Sequence, residues 1–325
     1  MSKIKQWTDS VNLAVKEIGR FQSGESRPLS CGIPHVDINL VGGLRGKTIF
    51  TLAGYTGMGK TYLSQRIING TIENNPNSKI AVLKMNFEMS VSELILRRLQ
   101  METHLSIEEI LLSPPSDAAL FKSIIDKERG SSTVHIEQAL TPEEFEKECR
   151  IFLDSNTDKD LAIIELDHCS LVQGEDKKRA VDKMVEICIK LKQEYDNSFF
   201  LLLAQLNRSL EGRTLITELA PRLSDVYASS TMGFASTVIL IVHQPSRMGI
   251  QKYLTLNVEK YHYLSDFFIE GNSDRWASLD TYKTIFYHYV KNRVSSEIPD
   301  IFAERYGVAP IEKKYTDSVE KLNDF

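Results

Sequence analysis

The stretch "GYTGMGKT", Gly54 to Thr61, limits this 325-residue chain more than any other. Gly54, Gly59, Lys60 and Thr61 stand at the spacing of a phosphate-binding loop. Such a loop works only between a strand and a helix. Here the apolar run "TIFTLA" (48–53) leads in, and "KTYLSQRII" leads out with Leu63, Ile67 and Ile68 on one helical face. Glycines allow the backbone N–H groups of Gly54, Tyr55, Thr56, Gly57, Met58 and Gly59 to curl around phosphate oxygens, and the helix N-terminus adds partial positive charge. Lys60 then reaches the β- and γ-phosphates, and the Thr61 hydroxyl is a ligand for Mg²⁺. The expectation is a nucleoside triphosphate site, with ATP and Mg²⁺ as cofactors. No base-contacting residue identifies the nucleotide further.

Beyond the loop, apolar runs alternate with helical ones. Strands are expected at 48–53, 79–85, 161–166, 198–204 and 237–242, and helices at 60–72, 91–100, 142–153 and 180–195. Near-continuous apolar strands joined by helical crossovers predict an α/β fold, a mostly parallel twisted sheet covered on both faces. Residues 8–21 place Val11, Ala14, Val15, Ile18 and Phe21 at helical spacing, ahead of a polar link, "SGESRPLS". That stripe must be covered either by the chain's own body or by a neighbouring subunit, and periodicity alone does not choose. After residue 250 the pattern changes to aromatic-rich runs that read as strands or hairpins.

A loop of this kind needs a carboxylate at a strand end to orient the metal. "LAIIELDHCSL" offers Glu165 and Asp167, which alternation puts on one face. Asp167 is nearer the C-terminal end, where open α/β sheets hold ligands, and is assigned to the metal. Glu88, just beyond the strand in "KIAVLKMNFEMS", is the candidate general base; its alternative is the N-terminal acid of the next helix. Gln205, closing "FFLLLAQ", is a neutral group suited to sensing a γ-phosphate.

Bulk properties exclude little. With 42% hydrophobic and 26% charged residues the chain has the composition of a globular domain, and no apolar run approaches a membrane span. Four scattered cysteines lack metal-ligand or disulfide spacing, so a cytoplasmic location is expected. A net charge of −5 argues against coating nucleic acid by global charge but leaves a local basic channel open.

Taken together, "GIPHVDINLVGGLRG", "GYTGMGKT", "NFEMSVSELILRRL", "IIELDHCSLV", "LLLAQLNRSLEGR" and "PRLSDVYASSTMGFASTVILIV" resemble, in consistent order over roughly residues 10–245, the RecA-like motor of the DnaB-type replicative hexameric DNA helicases. The resemblance implies Glu88 as catalytic base, Asp167 as the Mg²⁺-orienting acid and Gln205 as the coupling residue. It implies a linker helix within 1–30 docking on the adjacent subunit, a motor over 31–265 and a C-terminal extension over 266–325. It further implies single-stranded DNA as partner, a homo-oligomeric, hexameric ring, 5′-to-3′ translocation, a primase, polymerase or loader as further partners, and no membrane. Loops lining the ring would carry Lys177, Lys178 and Arg179, and then Arg208, Arg213 and Arg222. Taken alone, the short run "EDKK" reads first as a solvated surface turn.

Two departures stand out. There is no room for the family's N-terminal collar before residue 10, so a bare motor is expected. The family also ends its motor with Lys-x-Arg, whose arginine reaches the neighbour's ATP. Lys260 and His262 fit the spacing, whereas Lys291 and Arg293 fit the chemistry. Two other functions fit the same residues: a RecA-like recombinase or mediator assembling on DNA, and a non-hydrolysing, helicase-derived regulatory subunit.

Overall fold

In the computed structural model the described residues are 7–243, except 24–26, 34–35, 38–39, 41, 57–58, 104–105, 113–117, 130–131, 175, 208–222 and 227–228, together with a strand at 285–290. The N-terminal helix α1 spans Trp7–Gln22. The first strand, β1 (Thr48–Gly54), runs into α2 (Lys60–Asn74), and β2 (Ile80–Asn86) follows. Next come α3 (Val91–Thr103), α4 (Ile107–Leu112), α5 (Ala118–Arg129), β3 (Thr133–Ile136) and α6 (Pro142–Asp154). The remainder is β4 (Leu161–Asp167), α7 (Lys177–Glu194), β5 (Ser198–Gln205), α8 (Ser229–Ala235), β6 (Val238–His243) and β7 (Ile285–Val290).

The strands form one sheet in the order β3-β2-β4-β5-β1-β6-β7. Six are mutually parallel, and β7 pairs antiparallel with β6, Val238 opposite Val290 and His243 opposite Ile285. This is the doubly covered parallel sheet the apolar runs predict, with two additions. The edge strand β3, whose short half-exposed sequence carries no long apolar run, and the helices α4 and α5 were not legible in the sequence. Strand β7 lies in the aromatic run "TIFYHYV" and is antiparallel.

Alternation along β5 shows how the sheet makes two cores. Phe199, Leu201 and Leu203 join α2 residues Leu63, Ile67 and Ile68 and the segment from Leu29 to Leu44 on one face. Phe200, Leu202 and Ala204 join Phe145 and Leu153 of α6 and Met184, Cys188 and Leu191 of α7 on the other. Each fully buried leucine or phenylalanine contributes about 1.5–3 kcal/mol. Helix α6 starts where it does because Thr141 and Glu144 form a reciprocal capping box and Pro142 occupies the first turn. Close approach is a constraint at Gly46, where a Cβ would lie 1.9 Å from the Asp196 carbonyl oxygen.

Helix α1 differs from the rest. Trp7, Val11, Val15, Ile18 and Phe21 are all exposed, Trp7 to 81%, so among the described residues its apolar stripe is not covered.

Candidate nucleotide site

Parallel pairing brings the C-terminal ends of the strands to one edge of the sheet. Gly54 of β1 is level with Gln205 of β5, and Asn86 of β2 with Asp167 of β4. Because β5 lies between β1 and β4, Gln205 ends between the phosphate loop and the acid. That edge is where open α/β sheets bind ligands.

Gly59 precedes α2 with φ of 90°, a left-handed conformation glycine adopts without a Cβ penalty. Lys60 follows, buried, and its ammonium donates to the carbonyls of Gly54 and Tyr55 at 2.9 Å each. Burial lowers its pKa, while Asp167 and Glu88 act in the opposite direction. The Tyr55 hydroxyl donates to the Asn207 carbonyl at 2.9 Å, tying the loop to the chain leaving β5. Gly57 and Met58 lie outside the described residues.

The Thr61 hydroxyl donates to Asp167 Oδ2 at 2.6 Å, and Asn86 Nδ2 donates to the same oxygen at 3.2 Å. Asp167 is 1% exposed, and its other oxygen, Oδ1, is buried with no hydrogen-bond partner. Burial raises its pKa to about 7; the Thr61 hydrogen bond opposes this, and Glu165 and Glu88 add to it. A buried carboxylate oxygen without a donor is a group that a cation, or water held by one, would satisfy. Glu165, one strand step inward on the same face, is buried and accepts from the Ser64 hydroxyl of α2. It therefore fixes helix to sheet beneath the site.

Glu88 is half-exposed just past β2. Its backbone N–H and that of Met89 donate to Asn86 Oδ1, at 3.1 and 2.8 Å, so Asn86 braces both Asp167 and the turn that carries Glu88. The acid at the start of α3 is Glu93, which accepts from the Ser90 backbone and hydroxyl, so Glu88 is not that helix's N-terminal acid. Gln205 Nε2 lies 3.4 Å from Thr56 Oγ1 and 3.0 Å from His168 Nε2. The same His168 nitrogen is 3.9 Å from Glu88 Oε2, and Nδ1 is 2.6 Å from Ser170 Oγ. Burial lowers the His168 pKa against the pull of Glu88, which favours the neutral ring.

Thus Lys60, Thr61, Glu88, Asp167 and Gln205 converge as the sequence suggests. Asn86, His168 and Ser170 join them unforeseen; their only signal is adjacency, in "MNFE" and "LDHCS". One expectation is corrected. Lys177, Lys178 and Arg179 do not lie in a loop but form the exposed first turn of α7, where Asp176 accepts from the Arg179 N–H at 3.1 Å. The aspartate N-cap draws the helix start forward from the expected residue 180. Arg208, Arg213, Arg222, Lys260, His262 and Arg293 lie outside the described residues. The ends of the segment holding the first three are joined: Leu206 bridges Val226, and the Asn207 N–H donates to the Asp225 carbonyl at 2.6 Å.

No described helix is long and apolar enough to cross a membrane. No curated protein matches the chain in sequence. Among solved structures it is similar to an ATPase domain at 17% identity and TM-score 0.64, covering 77% of this chain and 87% of that one. It is also similar to a DnaB-like replicative helicase described with its interactions with primase, at 18% identity and TM-score 0.61, covering 75% of this chain and 58% of that one. The fold is therefore RecA-like, as the resemblance implied. The family description of the DnaB-like helicase C-terminal domain matches residues 29–274, a span that holds the phosphate loop and every strand end of the site, and the chain belongs to that family.

Proposed function

We propose that the protein is an ATP-driven, ring-forming DNA helicase that translocates on single-stranded DNA, in the 5′-to-3′ direction that the resemblance implies. The observation that carries this reading is the convergence of Glu88 and Gln205 on a phosphate loop whose acid, Asp167, already holds Thr61 at 2.6 Å. ATP and Mg²⁺ fit these residues. Lys60 and the loop backbone would take the phosphates, and Thr61 and Asp167 would hold the metal, whose chemistry is to neutralise charge on the phosphate oxygens. Glu88 is placed to accept a proton from an attacking water, and its half-exposed setting leaves room for one.

Gln205 stands at the junction between this chemistry and the segment at 208–222. The described residues that flank it, Leu206 and Asn207 on one side and Asp225 and Val226 on the other, are joined directly after Gln205. A basic DNA-facing loop there would make hydrolysis and strand grip interdependent, with Lys177, Lys178 and Arg179 as a second basic group at the α7 N-terminus.

Ring formation is supported by α1. Its uncovered stripe has a counterpart in the exposed Ile107, Leu111 and Leu112 of α4, Leu112 to 75%. Around a ring, each copy's α1 would cover its neighbour's apolar surface, satisfying both faces at once. The arginine-type finger from a neighbour, either Lys260 with His262 or Lys291 with Arg293, completes the proposed site. Replication partners of the primase, polymerase or loader kind belong to this same reading.

The test is ATP hydrolysis with and without single-stranded DNA, together with strand displacement on forks bearing a free 5′ or 3′ tail. Stimulated hydrolysis lost in Glu88→Gln, and displacement from the 5′ tail only, are expected. ATP binding without turnover, whether or not DNA is present, overturns the reading.

A further inference from the structure

The imidazole of His168 lies between Glu88 and Gln205 and is in hydrogen-bond contact with Gln205. Gln205 presents its amide nitrogen to His168 Nε2 at 3.0 Å. With the amide nitrogen, which has no lone pair with which to accept, turned toward the ring, Nε2 is bare and Nδ1 carries the ring proton. That proton faces Ser170 Oγ at 2.6 Å. The two Gln205 N–H groups then divide between His168 and Thr56 on the lip of the phosphate loop, the latter at 3.4 Å. A line of polar groups runs from Ser170 through His168 and Gln205 to Thr56. Glu88 flanks it, 3.9 Å from the same Nε2 and too far for a hydrogen bond. His168 is 5% exposed, so the ring has little freedom to turn away.

We propose that His168 is a positioning residue. Its ring, fixed by Ser170, holds the Gln205 amide in the one orientation that aims an N–H at the phosphate loop beside Glu88, and so sets how strongly DNA contact raises hydrolysis. The proposal rests on the helicase reading for its kinetic consequence, whereas the contact itself is testable without turnover. An amide side chain separates the two ring functions. Asn at 168 reaches roughly as far as Nδ1 and keeps the Ser170 contact but loses Gln205. Gln at 168 reaches roughly as far as Nε2 and keeps an acceptor for Gln205.

The kinetic experiment uses the full chain, Mg²⁺-ATP and a single-stranded oligonucleotide. In His168→Asn the DNA-stimulated kcat is expected to fall about three- to tenfold, the loss of one hydrogen bond, with KM within about twofold. His168→Gln restores most of it. His168→Asn combined with Gln205→Ala is no slower than Gln205→Ala alone, because both remove the same contact. Full stimulation in His168→Phe, or losses that multiply in the double variant, overturn the proposal, since packing alone would then explain the residue. The second experiment is solid-state ¹⁵N NMR of histidine-labelled protein without nucleotide, the His168 signals being assigned by their loss in His168→Asn. A bare Nε2 whose signal moves in Gln205→Ala is expected, and a protonated or unmoved Nε2 refutes the contact. A wild type that lacks DNA-stimulated turnover refutes the helicase reading instead and leaves this second experiment to decide on the contact.

Discussion

Thr61 and Asp167, 106 positions apart in sequence, meet through a 2.6 Å hydrogen bond from hydroxyl to carboxylate. The bond joins the first turn of α2 to the end of β4 across the strand between them, and it leaves Asp167 Oδ1 buried and unpartnered. A buried carboxylate oxygen without a donor, beside a hydroxyl at the first turn of α2, suits the proposed Mg²⁺ site.

Removing that hydroxyl is expected to act on metal use more than on folding. Thr61→Ala should raise the Mg²⁺ concentration needed for half-maximal ATP hydrolysis about tenfold or more, while Thr61→Ser stays near wild type. A Mg²⁺ titration of steady-state hydrolysis checks this, and an unchanged midpoint in Thr61→Ala removes the residue from the metal site.

The raised pKa of Asp167 makes nucleotide-free stability depend on pH. Its folded-state pKa of about 7 lies above the ordinary carboxyl value of 3.8, so the folded chain binds the extra proton between them. The contribution is complete below the lower value and is lost as pH rises through the upper one. Melting temperature should therefore fall from about pH 5 to about pH 8, and Asp167→Asn should flatten that slope. Mg²⁺-nucleotide binding, which requires the ionised form, should release a proton near neutral pH, measurable by calorimetry in buffers of different ionisation heat.

Lys60 donates two hydrogen bonds within the loop, to the Gly54 and Tyr55 carbonyls, and is the proposed phosphate contact. Lys60→Ala should lower ATP affinity about a hundredfold or more, as expected for a charge-assisted contact in a buried site. Equilibrium binding of a fluorescent ATP analogue measures it. Retained affinity would move the nucleotide away from this loop.

Glu88→Gln should leave nucleotide binding within about threefold and lower turnover by about 10²–10⁴, the range of general-base catalysis. Single-turnover hydrolysis separates the two effects. A variant that turns over at the wild-type rate would require another base.

Charging the uncovered stripe of α1 tests assembly. Val15→Asp with Ile18→Asp removes no buried contact among the described residues, since both side chains are exposed. The expected outcome is a shift from ring to smaller species in sedimentation velocity, with the melting temperature of the motor within about 2 °C. Intact rings would transfer the subunit contact to another surface.

The strands, the phosphate loop and the outline of the site were legible from local sequence, because each rests on short-range rules. Periodicity of apolar residues fixed β1, β2, β4, β5 and β6 to within a residue or so, and glycine spacing with a following lysine and threonine fixed the loop. Strand-end position also favoured Asp167 over Glu165, and the two carboxylates make different contacts: Asp167 accepts from Thr61 beside the phosphate loop, and Glu165 holds α2 to the sheet.

What tertiary structure alone decided was which ends meet. The order β4-β5-β1 places Gln205 between loop and acid, and no local pattern encodes strand order. Asn86 and His168 acquire their roles only from that arrangement, one bracing Asp167 and the turn of Glu88, the other touching Gln205 from the neighbouring strand. The start of α7 at Lys177 was set by the cap of Asp176, which outweighed the loop reading of the basic run. Hydrophobic period and loop chemistry are carried by residues a few positions apart. Hydrogen bonds across parallel strands join residues tens to more than a hundred positions apart, and only the folded sheet brings them within reach.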